Sequence, residues 1–270
     1  MKIPFTKLHG AKNDFLVTLA ADVPITDLQE LAIAICNRHT GVGADGWMIL
    51  DLTEGADYDA TIRLFNSDGS EPELSGNGTR CAALLLARGD GPGNHRDRIR
   101  LRTGAGIKEL RTVSSGSDWE FQFEMNMGAV RVLDLHADVH GLDAVIVDAG
   151  NPQCAIPVKN FDFDWRAAGV AVEKDPRFPK RTNVSFVRAV DAHTIEVRFW
   201  ERGVGETNSS GTGSTGAAVA AVARGLAQSP LTVSTPAGPL QLRMENSNAY
   251  LTGPAEYVAE GAFHYGKIVF

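Results

Sequence analysis

The order of apolar and polar positions predicts strands at residues 5–7, 15–19, 46–50 and 60–66, with a helix over 27–38 between the second and third. A loop follows, because NSDGSEPELSGNGTR is dense in turn formers. It runs into CAALLLARG, whose alanines and leucines favour a helix from about residue 77 to 88. Beyond GDGPGNHRDR, the pieces IRLRTGAG, IKELRTV and WEFQFEMNMG alternate moderately and read as strands of one sheet.

The second half repeats this order. VHGLDAVIVDAGNPQCAIPV reads as a strand pair around a Gly-Asn-Pro turn, and a short helix is predicted near 163–170. TIEVRFWERG is a strand, GETNSSGTGST a turn-rich loop and GAAVAAVARGLAQ a helix. LTVSTPAG, PLQLRME and NAYLTGPAEYVAEGAFHY then form a meander. Placing SGNGTRCAALLLARG above SGTGSTGAAVAAVARG matches Ser75 with Ser210, Gly76 with Gly211, Gly78 with Gly213, Ala82 with Ala217 and Ala83 with Ala218. HGAKNDF and DAGNPQC correspond more loosely at a similar offset, with Asn13 near the place of Asn151. The shared offset points to a duplicated architecture, in which a ligand site commonly forms between the halves.

Each Ser-Gly-x-Gly segment sits where a loop becomes a helix, so free backbone N–H groups and the positive end of the helix dipole can hold a carboxylate. One such serine is ordinary N-cap chemistry, whereas the matched pair points to a site. The string GTGSTG also satisfies the dinucleotide fingerprint GxGxxG. That reading fails, because no Asp or Glu lies between Glu206 and Glu245 to hold a ribose. Asn13, Asn66, Asn151 and Asn183 lie in turn-like contexts, and their amides can donate to a carboxylate or accept from an ammonium. Glu201 and Arg202 close a strand with opposite charges side by side, suited to a zwitterionic group.

Composition narrows the partners. The 270 residues suffice for two compact halves, and 43% hydrophobic with 22% charged residues describes an ordinary globular protein. A formal net charge of −7 with mixed signs offers no reason to expect nucleic acid or an anionic membrane surface, so a small-molecule partner fits better. Three scattered cysteines and seven scattered histidines suggest neither a disulfide framework nor a metal site. No apolar leader core follows Lys2, and a cytoplasmic location is expected. These properties leave room for a homodimer.

The strings KLHGAKNDF, GVGADG, NSDGSEPELSGNGTRCAA, DAGNPQC, RTNVSF and WERGVGETNSSGTGSTGAA together resemble the diaminopimelate epimerase family, over essentially the whole chain. The resemblance implies an α/β (α+β) fold of two similar domains, each a strongly curved mixed sheet around a central helix. Residues 1–127, joined by a returning strand at 261–270, would form one domain and residues 128–260 the other. It also implies interconversion of LL- and meso-diaminopimelate, in lysine and peptidoglycan biosynthesis, without pyridoxal phosphate or metal. In the family two cysteines flank the substrate α-carbon, one taking the proton as thiolate and the other donating from the opposite face. By the same resemblance Gly76, Asn77, Gly211 and Thr212 hold the α-carboxylate. Asn13, Asn66, Asn151, Asn183, Glu201 and Arg202 bind the rest of the substrate, all but Asn13 chiefly at its distal end.

The chain departs from the family at the catalytic positions, where Ser75 and Ser210 replace both thiols. Gln153 stands where the family often has His, and Lys12 where Gly is common. A serine hydroxyl needs an adjacent base, and neither loop carries one. The expectation is therefore binding with very slow inversion. Three readings stay open: an epimerase with both thiols exchanged, a natural relative acting as another amino-acid isomerase or a dehydratase, and a non-catalytic amino-acid-binding protein.

Overall fold

The computed structural model describes residues 1–24, 27–53, 55–88 and 96–266. The chain divides into two compact units, Met1–Glu124 with Pro254–Phe270, and Met125–Gly253. Residues 89–95 of the loop after CAALLLARG, and residues 267–270 of the expected returning strand, lie outside the described residues.

In the first unit the elements are β1 (Lys2–Gly10), β2 (Asn13–Leu19), α1 (Leu28–Cys36), β3 (Gly46–Asp51), β4 (Ala60–Asn66), α2 (Gly76–Ala87), β5 (Arg98–Thr103), β6 (Gly106–Ser117) and the first half of β7 (Glu120–Ala129), which runs on into the second. In the second they are β8 (Arg131–Val139), β9 (Leu142–Asp148), β10 (Pro152–Pro157), α3 (Trp165–Glu173), β11 (Asn183–Asp191), β12 (Thr194–Glu201), β13 (Gly205–Thr207), α4 (Gly211–Ala223), β14 (Leu231–Thr235) and β15 (Gly238–Glu245). The long β16 (Asn248–His264) pairs β15 through its first residues and β1 through its later ones.

Strands of the first unit follow the order β1-β2-β3-β4-β5-β6-β7-β16, and the β16–β1 pairing closes the ring. Within it β1–β2, β3–β4 and β5–β6 are antiparallel, while β2–β3 and β4–β5 are parallel. The second unit repeats the scheme in β9-β10-β11-β12-β14-β15, with the same alternation of antiparallel and parallel pairs. β8 pairs β9 as β16 pairs β1. The internal repeat read from the two serine motifs is thus a repeat of topology.

The strands of each unit pack around one helix, α2 in the first and α4 in the second. A helix buried on every side must be apolar or small all round, and α4 meets that demand with GAAVAAVA, buried from Gly213 to Ala221. In α2 the buried run from Asn77 to Leu84 includes Cys81, Ala82 and Ala83. A second helix packs outside: α1 lays Leu31 and Ile35 against Trp47 and Phe65, and α3 lays Trp165 and Val172 against Phe186. The indole of Trp47 donates to Thr18 Oγ1 at 2.9 Å, so its one polar atom is satisfied inside the core.

Two differences from the expected elements have physical causes. Helix α4 begins at Gly211, inside the stretch that composition marks as loop, because Ser210 caps it and captures Gly213 N–H at 3.2 Å. A strand, β11, occupies NVSFVRAVD, where Asn183 suggested only a turn; its first five residues are buried between β10 and β12.

The GVGADG segment turns the chain after α1, with Gly41 N–H donating to Asn37 O and Val42 N–H to Ile35 O. A Cβ at Gly41 would lie 2.2 Å from Ala34 O and 2.6 Å from Ile35 O, both backbone atoms. Gly41→Ala is expected to cost about 2–3 kcal/mol. Thermal unfolding should show it as a midpoint lowered by roughly 4–12 °C, and an unchanged midpoint would contradict the assignment.

Candidate active site

In the first unit Ser75 is the N-cap of α2, its Oγ accepting from Gly78 N–H at 3.1 Å. The first-turn residues Gly76 and Asn77 keep the free end of the helix dipole. Asn77 is buried, donates to Asn13 Oδ1 at 3.2 Å and accepts from Arg80. Arg80 lies wholly inside, where burial lowers its pKa to about 10. Its Nε donates to Pro254 O, and the sequence reading missed it although Asn77 and Arg80 are three apart on one helix face.

Asn13 opens β2 and donates to Asp45 at 2.6 Å. Asp45 shares Arg38 with Asp14, which also pairs with Lys7 at 3.0 Å. Burial pushes Asp14 upward, but hydrogen bonds from Arg38 and Lys7 outweigh it and leave the carboxyl below its usual value. This ionic frame holds the strand end that carries Asn13. The turn before it places Ala11 and Lys12 at positive φ, 49° and 61°. A side chain is disfavoured in that left-handed region, so lysine at position 12 costs about 1 kcal/mol relative to glycine. Asn66 ends β4 and stands opposite Gly46, with its amide on Ser70 Oγ at 2.9 Å; no hydrogen bond joins it to Asn13 or Asn77 among the described residues.

The second unit gathers more of the predicted residues. Asn183 stands beside Gln153 in the parallel β10–β11 pair, donates to Pro152 O and accepts the Arg202 N–H at 3.0 Å. Asn151 accepts from Gln153 at 2.6 Å and approaches Thr212 Oγ1 at 3.4 Å, at the second residue of α4. Among the described residues the Arg202 side chain reaches only a backbone carbonyl, Lys180 O, and it is exposed. Gln153 is buried with Oε1 unsatisfied, its side chain packed on Gly216.

Ser210 has a base. Its hydroxyl donates to Glu201 Oε2 at 2.8 Å, while Thr207 donates to Glu201 Oε1 at 2.7 Å. This corrects the expectation that no base stands beside either serine: the carboxylate comes from the end of β12, brought round by the β12–β13 hairpin. Burial raises the Glu201 carboxyl above its ordinary value, which the hydrogen bonds from Thr207 and Ser210 only partly offset. Behind it, Glu173 accepts from Trp200 Nε1 and Gly203 N–H, each at 2.9 Å, and so anchors the turn holding Glu201 and Arg202.

Ser75 differs. Its hydroxyl donates to no described residue and lines a cavity of about 360 Å³ with Met48, Thr79 and the Arg63–Glu71 ion pair. Glu71 is gripped by Arg63 Nε and Nη2, which holds its carboxyl below the usual range and makes it a poor proton acceptor. The thiols offer nothing in exchange: burial pushes Cys36, Cys81 and Cys154 each up to about 12. Among the described residues no group of three His, Cys, Asp or Glu side chains could hold a metal ion, and no helix is long and apolar enough to cross a membrane.

The model of the family described as diaminopimelate epimerase matches residues 5–133 and 145–258. Diaminopimelate epimerases of Microcystis aeruginosa and Pseudomonas fluorescens are 38% and 37% identical, each alignment covering 97% of this chain and 99% of the relative. That of Halothermothrix orenii is 34% identical over 100% of this chain and 99% of its own. Among solved structures, a Bacillus anthracis phenazine biosynthesis protein of the PhzF family superposes with a TM-score of 0.72 at 17% identity, covering 97% of this chain and 99% of that one. A hydroxyproline epimerase from Agrobacterium vitis gives 0.68 at 14% identity, covering 97% and 92%. At such identity the structures share the fold.

Proposed function

We propose that this chain, which belongs to the diaminopimelate epimerase family, acts on the α-carbon of diaminopimelate as a cofactor-independent isomerase of lysine biosynthesis. The observation that carries this reading is the pair of serine-capped helix starts, whose first-turn residues Gly76, Asn77, Gly211 and Thr212 are among those that the family motif assigns to the ligand. Gly76 and Asn77 on α2, and Gly211 and Thr212 on α4, offer backbone N–H groups to the α-carboxylate. As the α-proton leaves, charge flows into that carboxylate, so the same donors bind the transition state more strongly than the ground state. Asn13 contributes beside Asn77. Asn66, Asn151, Asn183 and Arg202 take the distal amino-acid end, whose carboxylate the exposed guanidinium of Arg202 suits, while Glu201, hydrogen-bonded to Ser210, meets the substrate beside the acid–base position.

Ser75 and Ser210 occupy the acid–base positions. A hydroxyl is a far weaker acid than a thiol, so inversion is slow while binding persists. Calorimetry with LL-diaminopimelate should show binding, and chiral chromatography of the same mixture should show meso product only after prolonged incubation. Absence of binding would refute the substrate assignment, and inversion at an ordinary enzymic rate would refute the impairment.

A further inference from the structure

The internal repeat sets Asn77 and Arg80 of α2 opposite Thr212 and Thr215 of α4. Arg80 and Thr215 are both fully buried, and Thr215 spends its hydroxyl on Gly211 O, at 2.8 Å within its own helix. A small neutral residue therefore satisfies the fold at this position, and the guanidinium of Arg80 needs another reason. A buried cation is costly unless a negative group meets it. Yet among the described residues no carboxylate pairs with Arg80, and its Nη1 has no hydrogen-bond partner.

The guanidinium instead heads a row of amides. Its Nε, donating to Pro254 O at 3.2 Å, fixes it in place, while its Nη2 donates to Asn77 Oδ1. Asn77 Nδ2 donates to Asn13 Oδ1 at 3.2 Å, and Asn13 Nδ2 to Asp45 Oδ2 at 2.6 Å. Arginine only donates and an ionised carboxylate only accepts, so the two ends set the sense of both amides. Asp45 is itself paired with Arg38, which leaves the charge of Arg80 unanswered one turn inside the start of α2.

We propose that Arg80 is the counter-charge for a ligand carboxylate at the start of α2, a positioning residue that acts through Asn77 and, together with Asp45, holds the Asn77 and Asn13 amides in one orientation. The inference rests on the substrate reading above and extends it, assigning to the first unit the charge that answers the carboxylate.

Two measurements test it. Iodoacetamide alkylation across pH reads the new thiol of Ser75→Cys alone, because the three native cysteines are buried with pKa values of about 12. The helix end and Arg80 together should place that thiol at least about one unit below the reference 8.5. Adding Arg80→Gln, which keeps a donor for Asn77 but removes the charge, should raise it by about one unit, and Arg80→Lys should hold it down. In the parent background, calorimetry should show LL-diaminopimelate bound at least about tenfold more weakly by Arg80→Gln, and no more than about threefold more weakly by Arg80→Lys. A role confined to packing would weaken both variants alike and leave the thiol where it was. An unshifted thiol, unchanged affinity in Arg80→Gln, or equal losses in both variants would overturn the proposal. Should Arg80→Gln not fold, a Ser75→Cys thiol titrating at or above 8.5 overturns it by itself. If the parent binds no LL-diaminopimelate, the substrate reading fails, whereas the thiol titration still decides whether Arg80 charges the start of α2.

Discussion

Replacing Ser75 and Ser210 together by cysteine is expected to raise the epimerisation rate at saturating diaminopimelate by at least about a hundredfold. The exchange of oxygen for sulfur is small in volume, and both positions are N-caps whose backbone is already set. What changes is acidity: a thiol has a reference pKa near 8.5, and a helix N-terminus lowers it further, so one sulfur can take the α-proton while the other supplies one. No existing cysteine can do this, since all three are buried with pKa values of about 12. Either single variant leaves one face with a hydroxyl and should gain far less inversion. A coupled assay of meso product decides the matter; a double variant no faster than the parent would sink the acid–base assignment of both positions.

The second large effect is expected at Glu173. The residue is 4% exposed, and its carboxylate accepts from the Trp200 indole, the Gly203 N–H and Arg181. Burial raises its pKa, but the hydrogen bonds from Trp200, Gly203 and Arg181 outweigh it and leave the carboxyl below its ordinary value. Glu173→Ala strands those donors and frees the turn that carries Glu201 and Arg202. About 3 kcal/mol of stability should be lost, and diaminopimelate should bind more weakly. The pH dependence follows from the depressed pKa. The stabilisation is complete above the ordinary glutamate value of 4.5 and is lost as pH falls through the lower folded-state value. The stability gap between parent and Glu173→Ala should therefore narrow on acidification. A gap that widens toward low pH, or is absent at neutral pH, would contradict the anchoring role.

Wherever a pattern was local, the sequence carried it. Alternation and Ala-rich runs placed most strands and both central helices, because periodicity and helix propensity act within a few residues of each position. The matched Ser-Gly-x-Gly motifs located both helix starts and disclosed the repeat before any topology was known. Even so, Gly211–Thr215 looked like loop, since glycine-rich composition weighs against a helix while the cap that nucleates it is one side chain. Strand β11 was hidden for a related reason: Asn183 signals a turn, and only pairing with β10 and β12 makes the segment extended.

At the level of single positions, the sequence supplied the candidate site residues: two serines at helix starts, four asparagines, and the adjacent Glu201 and Arg202. Tertiary structure decided how those residues are connected. It bound Asn77 to Asn13 and to the buried Arg80, left Asn66 with Ser70, and put Glu201 on Ser210 while giving Ser75 no equivalent among the described residues. The reason is that proton transfer and hydrogen bonding depend on separations of about 3 Å, set by strand register and hairpin closure, to which one-dimensional spacing is blind.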